Sequence, residues 1–406
     1  VIEMKKQKTM YFELVALGLL SLVIGVFAGA VDTFFGIILL SLSAFRESHF
    51  LPLILFLPII GICFTFLFQK YGDRSPQGMN LVFLVGHEEE KDIPLRLIPF
   101  VMVGTWLTHL FGGSAGREGV AVQLGATIAN RLGKWLRLEK YASTLIMIGM
   151  AAGFAGLFET PIAATFFALE VLVIGKFSHY ALLPTLLAAF TASTTSQLLG
   201  LEKFSFALSP SPDLTLAVFL KLLLIGLLFG IVGGSFAGLL ETMKRIMKRR
   251  FPHPLWRIGI GSLVLVLLFV LLYHGRYSGL GTNLISASFA DQPIYSYDWL
   301  FKLVLTVLTI SIGFLGGEVT PLFAIGASLG VVLAPLFGLP IELVAALGYA
   351  SVFGSATSTL FAPIFIGGEV FGFENLPLFV IVCSVAYFVS NPYSIYPLQK
   401  SLADGK

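Results

Sequence analysis

Six carboxylates lie in or beside apolar stretches of this chain: Asp32, Glu118, Glu159, Glu170, Glu318 and Glu369. A charged side chain in a bilayer costs at least about 2.5–3.5 kcal/mol on insertion scales, so such groups usually face an interior path and carry function. Glu118 has the most informative neighbours. It follows Arg117 in GGSAGREGVAVQLGA, Gly112 to Ala126, among glycines and just before an apolar run. That pattern reads as the start of a broken helix, where free N–H groups and the positive dipole end attract anions. A carboxylate and an anion from solution compete for such a place. Protonation would release Glu118 and admit the anion, which makes a proton-coupled anion gate. The plainer alternative is a helix-terminal acid paired with Arg117.

The elements that position these groups must be membrane helices. The chain has 406 residues, 56% of them hydrophobic and 12% charged, with a mean hydropathy of +0.90. Continuous apolar runs, clearest at Tyr11–Ala30, Leu51–Phe68, Leu214–Leu240 and Ile258–Tyr273, approach or exceed the roughly 20 residues of a span. They do not alternate, so helices rather than a barrel satisfy the backbone in lipid. An all-α polytopic membrane protein is predicted. The net charge of +3 is too small to imply nucleic acid. Basic residues cluster in MKKQK before the first run and in Met243–Arg257, which predicts a cytoplasmic N-terminus and a retained first helix. Cys63 and Cys383 form no framework, the six histidines show no HExxH, and no GxxxxGK[ST] is present. No cofactor, metal site or enzyme chemistry is expected.

The chain repeats itself. GREGVAVQLGA (Gly116–Ala126) matches GEVTPLFAIGA (Gly317–Ala327), and Gly149–Glu170 matches Gly348–Glu369. Gly25 and Gly29 match Gly226 and Gly230. Three matches in one order at nearly one offset predict two halves, 1–205 and 206–406, within one transmembrane domain and without a soluble domain. Val120–Ala129 and Pro321–Ala334 read as short, interrupted segments at matching places, the signature of a transporter's binding site. Most of the 42 glycines read as close helix packing.

On these motifs the sequence resembles the CLC family of chloride channels and anion/proton transporters. GREGV is similar to that family's GREGP, and GGEVTP (Gly316–Pro321) to its GGxFxP. Tyr396 in SIYPLQ matches its anion-coordinating tyrosine. The resemblance implies a homodimer with a separate pore in each subunit, two inverted repeats of short, tilted and broken helices, and Glu118 as the external gating glutamate. It places anion binding at Gly78, Met79 and Asn80, at Gly116, Arg117 and Gly119, at Val319 and Thr320, and at Tyr396.

Three departures are informative. PQGMN (Pro76–Asn80) stands where chloride-handling relatives have GSGIP, so Met79 replaces a coordinating serine. Val171 falls where chloride/proton exchangers carry an internal proton-transfer glutamate, next to Glu170. Glu318 replaces an apolar residue. Met79 with Glu318 resembles the bacterial fluoride/proton antiporter branch, implying a multi-pass protein of the inner (plasma) membrane that exports fluoride against protons. Glu118 and Glu318 then both serve the coupling. Fluoride needs close donors such as backbone N–H groups and the hydroxyls of Thr320 and Tyr396; the loss of a serine hydroxyl at Met79 runs against that need. Glu318 has a structural alternative as an acid on nearby N–H groups, and Thr320 as an N-cap. His109 and Trp106 read as packed or entrance-lining, Glu170 and Glu369 as structural, and Phe83 as a weak candidate beside the turn. A chloride channel or chloride/proton exchanger of the same architecture is the first rival. A cation-coupled transporter is the second, opposed by the dipole's positive end at GREGV.

Overall fold

The computed structural model describes residues 2–209, 212–290, 292–390 and 393–402, with side chains described from residue 13 onward. The lysines of MKKQK therefore lie outside the described side chains. Among the described residues the first half of the chain contains α1 (Ile2–Ser48), α2 (Phe50–Ile54), α3 (Leu57–Tyr71), α4 (Met79–Gly86), α5 (Leu97–Leu110), α6 (Glu118–Trp135), α7 (Ala142–Phe158), α8 (Pro161–Glu170) and α9 (His179–Leu198). The second contains α10 (Leu216–Arg250), α11 (Pro254–Leu271), α12 (Thr282–Ser288), α13 (Asp298–Ile312), α14 (Val319–Phe337), α15 (Ile341–Thr357), α16 (Phe361–Phe371) and α17 (Leu376–Ser390). The strand pair, β1 (Val173–Ile174) and β2 (Lys400–Ser401), ties the C-terminal segment to the end of α8.

Six helices among the described residues are long and apolar enough to cross a bilayer. Two expectations need correction. The run Leu51–Phe68 is not one span: it breaks at Leu55–Phe56, just before Pro58, whose missing N–H and ring favour a helix start there. Nor are Val120–Ala129 and Pro321–Ala334 short. They belong to helices of 18 and 19 residues, α6 and α14. What is unusual is their depth: both start inside the protein after an irregular stretch.

Helices sort by what they touch. Only 33% and 28% of the most apolar stretches of α10 and α11 are buried, and large apolar side chains such as Leu220, Leu224, Leu263 and Leu267 cover their outer faces. For α14 and for the Glu139–Phe158 stretch that contains α7 the figure is 78%. These form the core with α6 and α15, pressed together at glycines: a Cβ on Gly125 would land on the Gly149 carbonyl oxygen, and one on Gly326 on that of Gly348. The two crossings sit at equivalent positions of the repeat. So do Gly25 and Gly29 against α9, and Gly226 and Gly230 against α17.

The halves also meet through reciprocal caps. Glu170, ending α8, accepts from Leu360, Phe361 and Ala362 N–H at the start of α16, at 2.9, 3.2 and 2.7 Å. Glu369, near the end of α16, accepts from Ile162 and Ala163 N–H at the start of α8, at 3.0 and 2.8 Å. Each carboxylate satisfies the orphan donors of the other half's helix. The equivalent residues Glu159 and Ser358, which follow α7 and α15, share a left-handed backbone with φ of 54° and 52°.

Candidate anion site

Two irregular segments converge ahead of α6 and α14. Gly116 N donates to Gly317 O at 2.5 Å, and Gly317 N to Gly116 O at 2.8 Å. This antiparallel bridge sets the N-termini of α6 and α14 face to face. The approach requires glycine: a Cβ on Gly116 would lie 2.9 Å from Pro321 Cδ, and one on Gly317 2.9 Å from Gly119 N. Gly316 also has φ +152°, a backbone that side chains rarely tolerate.

Glu118 lies between these ends and is buried. The sequence placed its carboxylate on the start of its own helix; it rests instead mainly on the facing helix, with one contact to its own N-cap residue. Oε2 accepts from Thr320 N at 3.2 Å and Thr320 Oγ1 at 2.5 Å, at the start of α14, and from Arg117 N at 3.3 Å. Oε1 has no hydrogen-bond partner and lies 3.7 Å from Arg117 Nε. Two buried guanidinium nitrogens of Arg117, Nε and Nη1, likewise have no hydrogen-bond partner. Thr320 is not an N-cap; Glu318 holds that position, and the hydroxyl of Thr320 is spent on Glu118.

One side of this junction opens into a cavity of about 310 Å³. Gly78, Met79, Asn80, Gly119, Gln123, Glu318 and Tyr396 line it, with Lys244 among them. Lys244 Nζ is 3.8 Å from Glu318 Oε1. Met79 and Asn80 are the first two residues of α4, whose N–H groups have no acceptor within the helix. The donors here are therefore backbone amides, which softens the loss of a serine hydroxyl. Tyr396 is buried and its hydroxyl has no partner; its ring packs against Phe83 with centroids 5.3 Å apart. Val319, the first residue of α14, is buried, whereas Asn80 is exposed.

The CLC resemblance can be tested against known proteins. The model of the voltage gated chloride channel family matches residues 60–391. The chain belongs to this CLC family. A relative from Pseudomonas syringae pv. tomato, named "Chloride/fluoride channel protein", is 36% identical over 385 residues, 93% of this chain and 84% of that protein. A crystal structure of a CLC-type fluoride/proton antiporter is 91% identical, with a TM-score of 0.96 over 96% of this chain and 99% of that one. A slow cyanobacterial Cl⁻/H⁺ antiporter shares the fold at 18% identity, with a TM-score of 0.79 over 92% and 94% of the two chains.

In this CLC chain, residues remote in sequence fill out the site. Gln123, one turn beyond Gly119, donates Nε2–H to Gly119 O at 3.1 Å and leaves Oε1 buried without a partner beside Gly78. Nothing in the sequence marks Gln123 as part of the site. Glu170, beside the exchangers' glutamate position, is committed to capping α16, and Val171 itself is buried. His109 and Trp106 are structural: the two His109 ring nitrogens lie 2.8 and 3.0 Å from the carbonyl oxygens of Thr105 and Ala115, and Trp106 donates to Phe35 O.

Proposed function

We propose that this protein is a secondary-active transporter that exports fluoride in exchange for inward-moving protons, with Glu118 as the moving gate. The observation that carries the reading is the Glu118 carboxylate bound to the amide and hydroxyl of Thr320. An anion-binding helix end is occupied by the protein's own titratable anion. The 91% identity with a fluoride/proton antiporter supports the substrate pair.

Ionised, Glu118 fills the junction. Protonated, it loses the charge that the helix end favours and can leave. Fluoride then takes the vacated donors: Thr320 N–H and Oγ–H, with the amides of Met79 and Asn80 and the Tyr396 hydroxyl along the cavity. Strong hydrogen-bond donors replace the hydration that a small anion gives up. Glu318, 3.8 Å from Lys244 and on the cavity wall, is the second group that exchanges protons with the cytoplasm, in place of an acid at Val171.

Several features complete this reading. The halves divide at 205/206. Two copies form a dimer with one path each in a bacterial inner membrane. Basic residues Lys244 to Arg257 and the N-terminus face the cytoplasm, as the positive-inside bias favours.

Reconstitution in liposomes tests the function. Fluoride efflux should drive proton uptake, and chloride should move far more slowly. Equal rates for both anions would favour a chloride transporter, and efflux without proton uptake a channel. Glu118→Gln should abolish coupled proton movement; coupling that survives intact would remove Glu118 as the gate.

A further inference from the structure

The cavity wall carries a cation to which the antiport reading gives no role of its own. Of the described residues that line the cavity, only Lys244 and Glu318 are charged. Lys244 belongs to the basic stretch Met243–Arg257. A basic residue that only sets topology can lie anywhere on its side of the membrane. Arg245, Lys248, Arg249 and Arg250 meet that need: they are exposed and stand outside the cavity wall. Arg257 is engaged elsewhere, donating Nε–H to Ile312 O at 3.3 Å at the end of α13. Lys244 alone of the stretch enters the wall.

Side-chain exposure orders three groups from rim to floor: 43% at Lys244, 14% at Glu318 and 1% at Glu118. Water therefore reaches the Lys244 ammonium and solvates its charge. Its ionic partner is Glu318 Oε1 at 3.8 Å, too far for a hydrogen bond. Among the described residues this ammonium donates no hydrogen bond, so its three N–H groups are open to solvent or to an arriving anion. The other oxygen of Glu318 lies beside the gate: a Cβ on Gly119, the residue after Glu118, would be 3.9 Å from Oε2. Glu318 thus stands between the exposed ammonium and the gate.

An exposed ion pair is weak, because water screens it and two long side chains must be held in one geometry. Lys244 can change partners at little cost, and an ammonium is a strong donor to a small, charge-dense anion. With Glu318 ionised, the two charges of the wall cancel. With Glu318 protonated, the rim carries one net positive charge. We propose that Lys244 is a receiving site for fluoride at the mouth of the cavity, and that the anion and the Glu318 carboxylate take its ammonium in turn. A proton passed from Glu118 to Glu318 frees the ammonium, which draws fluoride from the cytoplasm. When that proton leaves for the cytoplasm, the carboxylate takes the ammonium back, and fluoride moves on to the donors of Met79, Asn80 and Thr320. Proton release and anion uptake are thus opposed on one ammonium. The proposal rests on the antiport reading above.

The test is a double-mutant cycle read by calorimetric titration of sodium fluoride at one neutral pH. The proteins are the parent, Glu318→Gln, Lys244→Gln, the double variant, and Glu318→Gln with Lys244→Arg. Around the pair the other titratable or charged groups are Tyr396 on the cavity wall, Glu241, Arg245 and Lys248 beside Lys244 on α10, Arg257 at the end of α13, and Glu118 with Arg117 beyond Gly119; all stay unchanged. Gln at 318 mimics the protonated acid and leaves the ammonium free. Fluoride should then bind about fivefold tighter than in the parent, the upper range for an exposed ion pair. The gain should vanish in the double variant and persist with Lys244→Arg. A gain that survives in the double variant, or no gain in Glu318→Gln, overturns the proposal. If Glu318→Gln does not fold, the half-saturating fluoride for efflux from liposomes decides. Lys244→Gln should raise it about fivefold and Lys244→Arg leave it within twofold; an unmoved value in Lys244→Gln overturns the site. A parent that moves fluoride without protons would strike the antiport reading instead, and the binding cycle reads the Lys244 site independently of that result.

Discussion

Thr320 directs two donors of one residue, its amide and its hydroxyl, at a single oxygen of Glu118. A hydrogen bond to a charged group contributes about 1.5–3 kcal/mol, roughly a 10- to 100-fold effect on occupancy. Thr320→Val keeps the shape and the amide but removes the hydroxyl, so fluoride affinity by titration calorimetry and efflux rate should fall by about that factor. Thr320→Ser should retain most of both. The types of these residues were legible in sequence; their meeting was not. Side chains lean toward a helix's N-terminus, so Glu118, as the first residue of α6, projects beyond its own helix. Gly317, opposite, lets α14 come close enough to receive it. Lys302 was missed altogether: its hydrogen bond to Ser114 spans 188 residues, and no local pattern conveys that. Gln123 is harder still, since a lone amide differs in nothing local from a helix-surface residue.

Among the elements, α8 and α16 carry the clearest consequence of the repeat. Glu170 and Glu369 were readable as structural because they recur at equivalent places; that each caps the other half's helix emerges only from the fold. Glu170→Ala leaves three N–H groups without their acceptor and should cost about 1.5–3 kcal/mol. A lowered Tm with unchanged fluoride-to-proton coupling is the expected outcome, and lost coupling would give Glu170 a proton-carrying role. The glycine crossing of α14 with α15 makes a stronger demand. Gly326→Ala puts a methyl on the Gly348 carbonyl, where backbone must yield, so monodisperse protein should fail to appear on size exclusion. Segment lengths were the least legible feature. Pro321, third in α14, looks like an interruption, yet the first turn of a helix has no N–H bonds for a proline to remove. The depth of a helix start is likewise a tertiary property, fixed here by the Gly116–Gly317 bridge.

For the molecule as a whole, the membrane class was legible because apolar runs of spanning length need no partner to be recognised. Sidedness follows from joining charge to connectivity. The end of α1 and the segment after α11 share one side, where Gly275 packs against Phe50. The end of α10 must then lie on the other, together with Lys244, Lys248 and Arg250. The positive-inside bias predicts that this second side is the cytoplasmic one, the orientation proposed above. The cavity holding Glu318 and Tyr396 would open there, whereas Arg46, Arg276 and Asn283 line a separate pocket of about 300 Å³ on the opposite side. Single cysteines test this arrangement in a background lacking Cys63 and Cys383. Asn283→Cys should react with an impermeant maleimide added outside intact cells, and Lys248→Cys only after the membrane is opened. The reverse labelling would invert the molecule. Glu318 and the cavity would then face outward, and a cytoplasmic source of fluoride would reach Glu118 from the Lys302 side.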